Sequence, residues 1–198
     1  MKLSSIFRAS AIVLLLTTSG LAIQSKAIAD SPAVEQAKIK TPADWVMKGL
    51  SFVVNSQYKE SITAYDEAIK LDPNYSDAYV QRAMSHISLE DWKAAIADCE
   101  KVIFLGDKED LKTIYGTRAM AYDGMKNFKM AIADFDRHLS TNPENAISYY
   151  GRGKAYEGMG DQGRAMQDFE KSKALATAQN DGTTLLLLES HGFLKTLK

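Results

Sequence analysis

The sequence has few of the residues that metal binding or disulfide formation requires, and it has no excess of positive charge. Its 198 residues include one cysteine, Cys99, so neither an intramolecular disulfide nor a multi-cysteine metal site can form. The three histidines are not clustered, and we expect no metal or cofactor. A formal net charge of −1 gives no basic excess to neutralise phosphates, which argues against a nucleic-acid partner. With four prolines and 45% hydrophobic residues, the composition favours compact helical units.

Long apolar runs are also scarce, and the one present lies near the start. Residues 9–16 (ASAIVLLL) follow Lys2 and Arg8, and the small residues Ala27 and Ala29 match an export-peptidase site. We predict a signal peptide over 1–29, cleaved after Ala29, and an exported, periplasmic or equivalent lumenal protein. An uncleaved anchor is the alternative, but the run is shorter than the roughly 20 residues that span a bilayer. The polar residues 30–41 are predicted to be a linker.

The chain does contain an internal repeat. Aromatic residues Trp45, Tyr79, Tyr115 and Tyr149 are separated by 34, 36 and 34 positions. Five further columns keep the same intervals, among them a small one: Gly49, Ala83, Ala119 and Gly153. Large residues recur at spacings of three, four and seven, which indicates one face of a helix. Short breaks divide each unit into two helices, which we expect to pack antiparallel.

Three segments carry a family resemblance: YVQRAMSHISLEDWKAAIADCEKVI (79–103), YGTRAMAYDGMKNFKMAIADFDRHL (115–139) and YYGRGKAYEGMGDQGRAMQDFEKSKAL (149–175). They resemble tetratricopeptide repeats of the exported bacterial type, over about residues 42–177. The resemblance implies an all-α, right-handed solenoid of four helix pairs whose first helices build a concave face. We assign the repeats to 42–75, 76–111, 112–145 and 146–179, and a C-terminal capping helix to 180–198.

Two features of the repeats give structural predictions. The unit at 76–111 has no closing proline and two extra residues, so we expect its junction with the next unit to be looser or rotated. An arginine and an aspartate stand 16 positions apart in three units, and we predict that each pair links the two helices of its repeat. The pairs are Arg82 and Asp98, Arg118 and Asp134, and Arg152 and Asp168.

The C-terminal residues 180–198 read as a helix that starts near 181–183 and covers the open end of the solenoid. Leu185 and Leu188 fall off its expected apolar face. That face comprises Leu186, Leu187, Phe193, Leu194 and Leu197. A helix that binds a partner or a membrane surface is the alternative.

No motif indicates an enzyme. Gly151 to Lys154 (GRGK) lies in a predicted helix and lacks the spacing of a phosphate loop. Cys99 and His86 occupy facing columns, but a nucleophile also needs an orienting group and an oxyanion site. We therefore interpret the two as core residues.

The concave face is the candidate binding site. Some members of the resembled family hold a peptide carboxylate with a lysine, asparagine and arginine clamp. The matching places here are Val46, Leu50, Gln81, Thr113 and Thr117, so the clamp is absent. The predicted partner-binding groove consists of Val46, Leu50, Val53, Val80, Met84, Ile87, Met120, Tyr150 and Lys154.

We expect this groove to bind an apolar helix or peptide of a protein partner. Gly116, Gly124 and Gly158 are expected to let the backbone of that partner approach. In a different interpretation, the linker or the C-terminal helix fills part of the groove. The functional hypothesis is a non-catalytic protein–protein interaction module. The alternatives are a chaperone-like assembly factor of the cell envelope or lumen, and a structural subunit of one complex.

Overall fold

The computed structural model describes residues 41–106 and 108–193. The predicted signal peptide (1–29), nearly all of the linker, and Leu194 and Leu197 of the predicted C-terminal face lie outside these residues. The described part contains nine helices: α1 (Pro42–Val54), α2 (Tyr58–Leu71), α3 (Ser76–Ser88), α4 (Trp92–Leu105), α5 (Lys108–Gly124), α6 (Phe128–Thr141), α7 (Ala146–Gly158), α8 (Gln162–Gln179) and α9 (Gly182–Ser190).

The first eight helices form four pairs, α1 with α2, α3 with α4, α5 with α6, and α7 with α8. Each pair packs on the next, and the first helices of adjacent pairs also contact one another. The ninth helix packs against α8 and α7. The arrangement is an all-α solenoid of four helix pairs closed by a final helix, which confirms the fold predicted from the repeat.

Local sequence signals define where the helices begin and turn. Thr41 caps α1: its hydroxyl accepts from the Asp44 amide at 3.2 Å, and the Asp44 carboxylate accepts from the Thr41 amide at 3.0 Å. Within each pair, one residue of the turn has a positive φ. That residue is Ser56, Glu90, Lys126 or Gly160, again spaced by 34, 36 and 34. The repeat therefore extends to the backbone conformation of the turn.

Small residues allow the two helices of a pair to approach. A Cβ added at Gly49 would lie 2.2 Å from the Tyr65 ring, and one at Gly153 would lie 2.8 Å from Phe169. The alanines of the same columns, Ala83 and Ala119, are fully buried. The small and aromatic columns found in the sequence thus meet in the core between paired helices.

The two extra residues of the second unit lengthen a helix. Gly106 ends α4 with a φ of 73°, and α5 starts at Lys108 and runs for 17 residues, compared with 13 in α1, α3 and α7. The expected repeat boundary at 111/112 therefore falls inside α5. Val102 and Ile114 are completely buried in one cluster across this junction. The expectation of a loose junction is wrong, because Val102 and Ile114 pack across it and the insertion lies within a helix. The alternative of a rotated junction stays a prediction.

The C-terminal helix presents a different face from the one predicted. Leu188 is fully buried although it was placed off the face, whereas Leu186 is 64% exposed. The helix ends at Ser190, and Gly192 has a φ of 90°, so the turn carries Phe193 back onto the ring of Phe169. The prediction placed the apolar face on a different side of the helix because it assumed one continuous helix to Leu197.

Candidate functional site

An ion pair identifies the side chains that face along the row of first helices. Lys154 of α7 places its Nζ 3.1 Å from Asp123 Oδ2 of α5, so these two positions meet on the surface that first helices share. The repeat intervals of 34, 36 and 34 give the equivalent positions in the other first helices. The concave groove is therefore defined by Leu50, Val53, Met84, Ile87, Met120, Asp123, Lys154 and Glu157.

The predicted groove residues differ in how much surface they offer. Met84 and Met120 are exposed, at 49% and 37%. Val46 and Val80 are buried within core clusters and offer almost no surface to a partner. The remaining five are half-buried: Leu50, Val53, Ile87, Tyr150 and Lys154. The first two pairs and Met120 thus give the groove an apolar half.

The other half of the groove is charged, which the sequence analysis missed. Asp123 and Glu157 occupy the column of Val53 and Ile87, so the repeat intervals contained the signal needed to find them. Asp123 binds Lys154, and Glu157 Oε2 lies 3.1 Å from His191 Nε2. An apolar surface and a charged surface therefore adjoin along one groove.

The C-terminal segment covers the end of the groove at the fourth pair. The His191 ring meets Tyr150 edge-on with centroids 6.0 Å apart and lies 4.9 Å from Phe169. Burial raises the pKa of the Tyr150 hydroxyl above its usual value, while nearby Lys154 opposes that shift. His191, the first residue after α9, thus covers part of this end of the groove, and the linker lies outside the described residues.

Three glycines predicted to admit a partner's backbone instead face side chains of this chain. An added Cβ at Gly116 would lie 3.2 Å from the His138 ring, one at Gly124 2.7 Å from Trp92, and one at Gly158 2.5 Å from Phe128. For Gly124 and Gly158, the ring belongs to the second helix of the preceding pair. The prediction of open space beside these glycines is wrong, because aromatic rings occupy it.

The predicted arginine–aspartate pairs are all present. Arg82 donates to Asp98 at 2.9 and 2.6 Å, Arg118 to Asp134 at 2.7 and 3.0 Å, and Arg152 to Asp168 at 2.7 and 2.8 Å. Each bidentate contact joins the first helix of a repeat to the second, as predicted.

Two of these arginines also reach back to the preceding pair. Arg82 Nη1 lies 2.5 Å from Asp66 of α2, and Arg152 Nη1 lies 2.6 Å from Asp136 of α6. Arg82, Arg118 and Arg152 each stack on a tyrosine of their own helix, with guanidinium-to-ring distances of 5.3–5.6 Å. They position the helices that bear the groove.

The remaining candidate chemistry is accounted for by packing. Cys99 is fully buried, and burial raises its thiol pKa to about 12, so it stays protonated at neutral pH. His86 lies 3.7 Å from Asp91 and 4.0 Å from Asp98 and takes part in a polar cluster. Within 41–106 and 108–193, no group of three or more histidine, cysteine or acidic residues is arranged to hold a metal.

No helix in those ranges combines the length and apolarity needed to cross a membrane.

Comparison with known proteins identifies the repeat. A family model described as "TPR repeat" matches residues 49–86, and one described as "Tetratricopeptide repeat" matches 113–145 and 146–178. Together the matches cover more than half of the chain. The Small glutamine-rich tetratricopeptide repeat-containing protein 2 of Saccharomyces cerevisiae is 36% identical over 70 residues, which are 35% of this chain and 20% of that protein. The match thus spans about a fifth of that relative.

Solved structures share the fold. MamA 41-end from Desulfovibrio magneticus RS-1 aligns with a TM-score of 0.65 and 18% identity, over 80% of this chain and 94% of that one. The first TPR of Spaghetti (RPAP3), bound to HSP90 peptide SRMEEVD, aligns with a TM-score of 0.57 and 21% identity, over 61% and 94% of the two chains. Both likenesses concern the helical solenoid.

Proposed function

Because the chain belongs to the tetratricopeptide repeat family, whose members are generally non-catalytic protein-interaction scaffolds, we propose that it binds an apolar peptide or helix in its concave groove. The observation that carries the proposal is the exposure of Met84 and Met120 beside half-buried Leu50, Val53 and Ile87. Apolar side chains in a concave row, on rigid helices, suit the apolar face of a peptide.

The side chains of the groove differ from those of a site that binds a peptide carboxylate. The peptide bound to Spaghetti, SRMEEVD, is acidic. In this chain Leu50 lies in the groove at a place that matches the carboxylate clamp, and Glu157 adds a negative charge beside the Asp123–Lys154 ion pair. An acidic peptide end would find no cationic clamp at these places, so the proposed ligand is apolar and not acidic.

Methionines at two exposed groove positions favour the chaperone-like alternative over a structural subunit. Methionine is flexible and polarisable, so Met84 and Met120 can adapt to different apolar side chains. A module with such a surface is expected to bind several sequences weakly and reversibly.

The test uses labelled 12-residue peptides with leucine-, phenylalanine- or valine-rich sequences and neutral or acidic ends. Fluorescence anisotropy measures their binding to the wild type and to Met84→Asp/Met120→Asp. Burying a carboxylate against an apolar ligand is costly, so the double variant should lose more than about tenfold in affinity. Val80 is unsuitable for this test because it is buried in the core.

The matched control places the same change outside the groove. Met130→Asp/Met166→Asp alters two methionines of the second helices α6 and α8, which are 41% and 46% exposed. This variant should bind as the wild type does. Equal losses in both double variants, or no saturable binding of any neutral apolar peptide, would reject the groove as the site.

Export to a periplasmic or equivalent lumenal compartment is part of the proposal. It is supported by the charged start, the short apolar run and the small residues before Asp30. Mass spectrometry of the protein expressed at full length in a bacterial host should find a chain that begins at Asp30. A full-length chain retained with the membrane fraction would contradict cleavage.

A further inference from the structure

The first helix, α1, is apolar on three sides. Leu50 and Val53 face the groove, and Gly49 packs against Tyr65 of α2. On a third side, Met47 and Val54 are 66% and 85% exposed. A helix that is apolar around most of its circumference is normally buried between neighbours, so the third side is unusual for a helix at the end of a solenoid.

Later repeats show what this third side packs against. Gly151 and Gly158 correspond to Met47 and Val54 in the repeat, and their added Cβ atoms would lie 2.4 and 2.5 Å from the rings of Phe135 and Phe128. Both rings belong to α6, the second helix of the preceding pair. Met47 and Val54 therefore occupy positions that in the fourth pair receive the preceding second helix, and the described residues contain no pair that precedes α1.

A positive charge completes this surface. Lys48 stands in the column of Arg82 and Arg152, which reach back to Asp66 and Asp136 of the preceding second helix. Its Nζ lies 5.0 Å from the centre of the Trp45 ring, and no salt bridge of Lys48 is found within the described ranges. The first repeat thus carries both the apolar and the ionic half of an inter-repeat contact.

We infer that the α1 edge, formed by Met47, Lys48 and Val54, docks a helix of another protein that takes the place of a second helix. Met47 and Val54 fill space that is left open for Phe135 and Phe128 in the last pair. The docked helix therefore presents small side chains at those two points, seven residues apart. A carboxylate directly after the second small residue, as Asp136 follows Phe135, pairs with Lys48.

The sequence disfavours the other occupants. In the register of the repeat, an upstream second helix of this chain would comprise residues 24–37 and place Pro32, with no carboxylate, opposite Lys48. Proline inside a helix costs about 3 kcal/mol. A second copy docking end to end would need an open second helix, but α9 covers α8, the last one.

The test reports on the α1 edge in the full chain. Val54→Cys introduces an exposed thiol, while the native Cys99 is fully buried and stays unreactive in the folded protein. The probe is a lactam-bridged helical peptide with the sequence of residues 128–141 in which Phe128 and Phe135 are changed to alanine. The rate of maleimide labelling is measured with and without the probe.

The free variant should label quickly at every protein concentration, and the probe at ten times its dissociation constant should slow labelling about tenfold. Slow labelling without the probe would mean that the chain's own upstream segment covers the edge. Labelling that slows as the protein concentration rises would indicate a second copy. Either result, or no protection by the probe, overturns the inference.

A charge reversal tests the ionic contact. Lys48→Glu should weaken the probe roughly fivefold, and a probe that also carries Asp136→Lys should recover that loss on the variant. The groove variant Met84→Asp/Met120→Asp should bind the probe as the wild type does. This separates the edge from the groove, so either proposal can fail without the other.

Discussion

At the scale of single residues, the arginine–aspartate pairs are the most regular polar feature of the fold. The Arg118 and Asp134 side chains are only 12% and 3% exposed, so the pair is largely removed from water. The Asp134 hydrogen bond is the main cause that raises the pKa of Arg118, which is therefore cationic at all ordinary pH values. A charge held in this way is costly to leave without its partner.

Asp134→Ala should lower the free energy of unfolding by about 3 kcal/mol, because it leaves the Arg118 guanidinium buried without its carboxylate. Glu67→Ala is the control, since Glu67 pairs with Lys70 at side-chain exposures of 37% and 68%. It should change stability by less than about 1 kcal/mol. Urea denaturation measures both, and equal effects would show that burial does not determine the strength of these pairs.

His138 provides a pH-dependent contribution to stability. Its side chain is buried against Gly116, and its Nδ1 has no hydrogen-bond partner among the residues that the structure describes. Burial lowers its pKa below the usual 6.5, although the backbone of Lys112 opposes the shift. The unfolded chain therefore binds this proton more readily, so the stability is present above about pH 6.5 and is lost as the pH falls.

The free energy of unfolding should consequently decrease more between pH 7.5 and pH 5.5 in the wild type than in His138→Leu. Urea denaturation at the two pH values checks the difference. His86 and His191 are present in both proteins and cancel in the comparison. An identical pH dependence in the two would show that His138 does not contribute.

At the scale of the helix, glycine at the end of α5 serves packing. Gly124 occupies the last position of that helix, and its missing Cβ leaves space for the Trp92 ring of α4. The equivalent contact joins Gly158 of α7 to Phe128 of α6. Aromatic residues at the start of a second helix thus fix the end of the first helix that follows.

Gly124→Ala should therefore destabilise the protein by about 1–3 kcal/mol, although alanine favours helix more than glycine does. Gly163→Ala in α8 is the matched control, because the nearest atom to its added Cβ is Asp161 Oδ1 at 3.7 Å. That change should stabilise by roughly 0.5–1 kcal/mol. Thermal and urea unfolding should move in opposite directions for the two variants.

The helices, their pairing and the arginine–aspartate contacts followed from the sequence because each depends on spacing within one repeat. The contacts of Gly124 and Gly158 did not, since a glycine shows that a side chain is missing but not which neighbour fills the space. The prediction of the buried face of α9 was also wrong, because contacts with α7 and α8, and not the sequence of α9 alone, determine whether Leu186 or Leu188 is buried.

For the groove, the repeat columns located the first helices but not the exposure of each side chain. Val46 and Val80 share the apolar character of Leu50, and only the packed neighbours show that they belong to the core. Asp123 and Glu157 could have been predicted from the sequence, because they lie in the same repeat column as Val53 and Ile87.

At the scale of the whole molecule, the junctions between repeats differ in chemistry. Arginine bridges the first and third junctions through Asp66 and Asp136. At the second junction, the ion pair of Arg118 in the described residues is with Asp134 of its own repeat. Val102 and Ile114 are fully buried there, so this junction depends on apolar contacts.

Stability in a solenoid is a sum of the repeats and their nearest-neighbour contacts, so weakening one junction should uncouple the two sides. Ile114→Ala removes apolar contacts at the second junction and should cost about 2–4 kcal/mol. Both tryptophans, Trp45 and Trp92, lie in the first two pairs, and the Trp92 ring also packs on Gly124 across this junction. Fluorescence therefore reports on the first two pairs and on the junction itself, while circular dichroism reports on all helices. In the wild type the two urea curves should coincide, and in Ile114→Ala they should separate. Coincident curves in the variant would show that the remaining contacts between α4 and α5 are enough to keep the four pairs unfolding together.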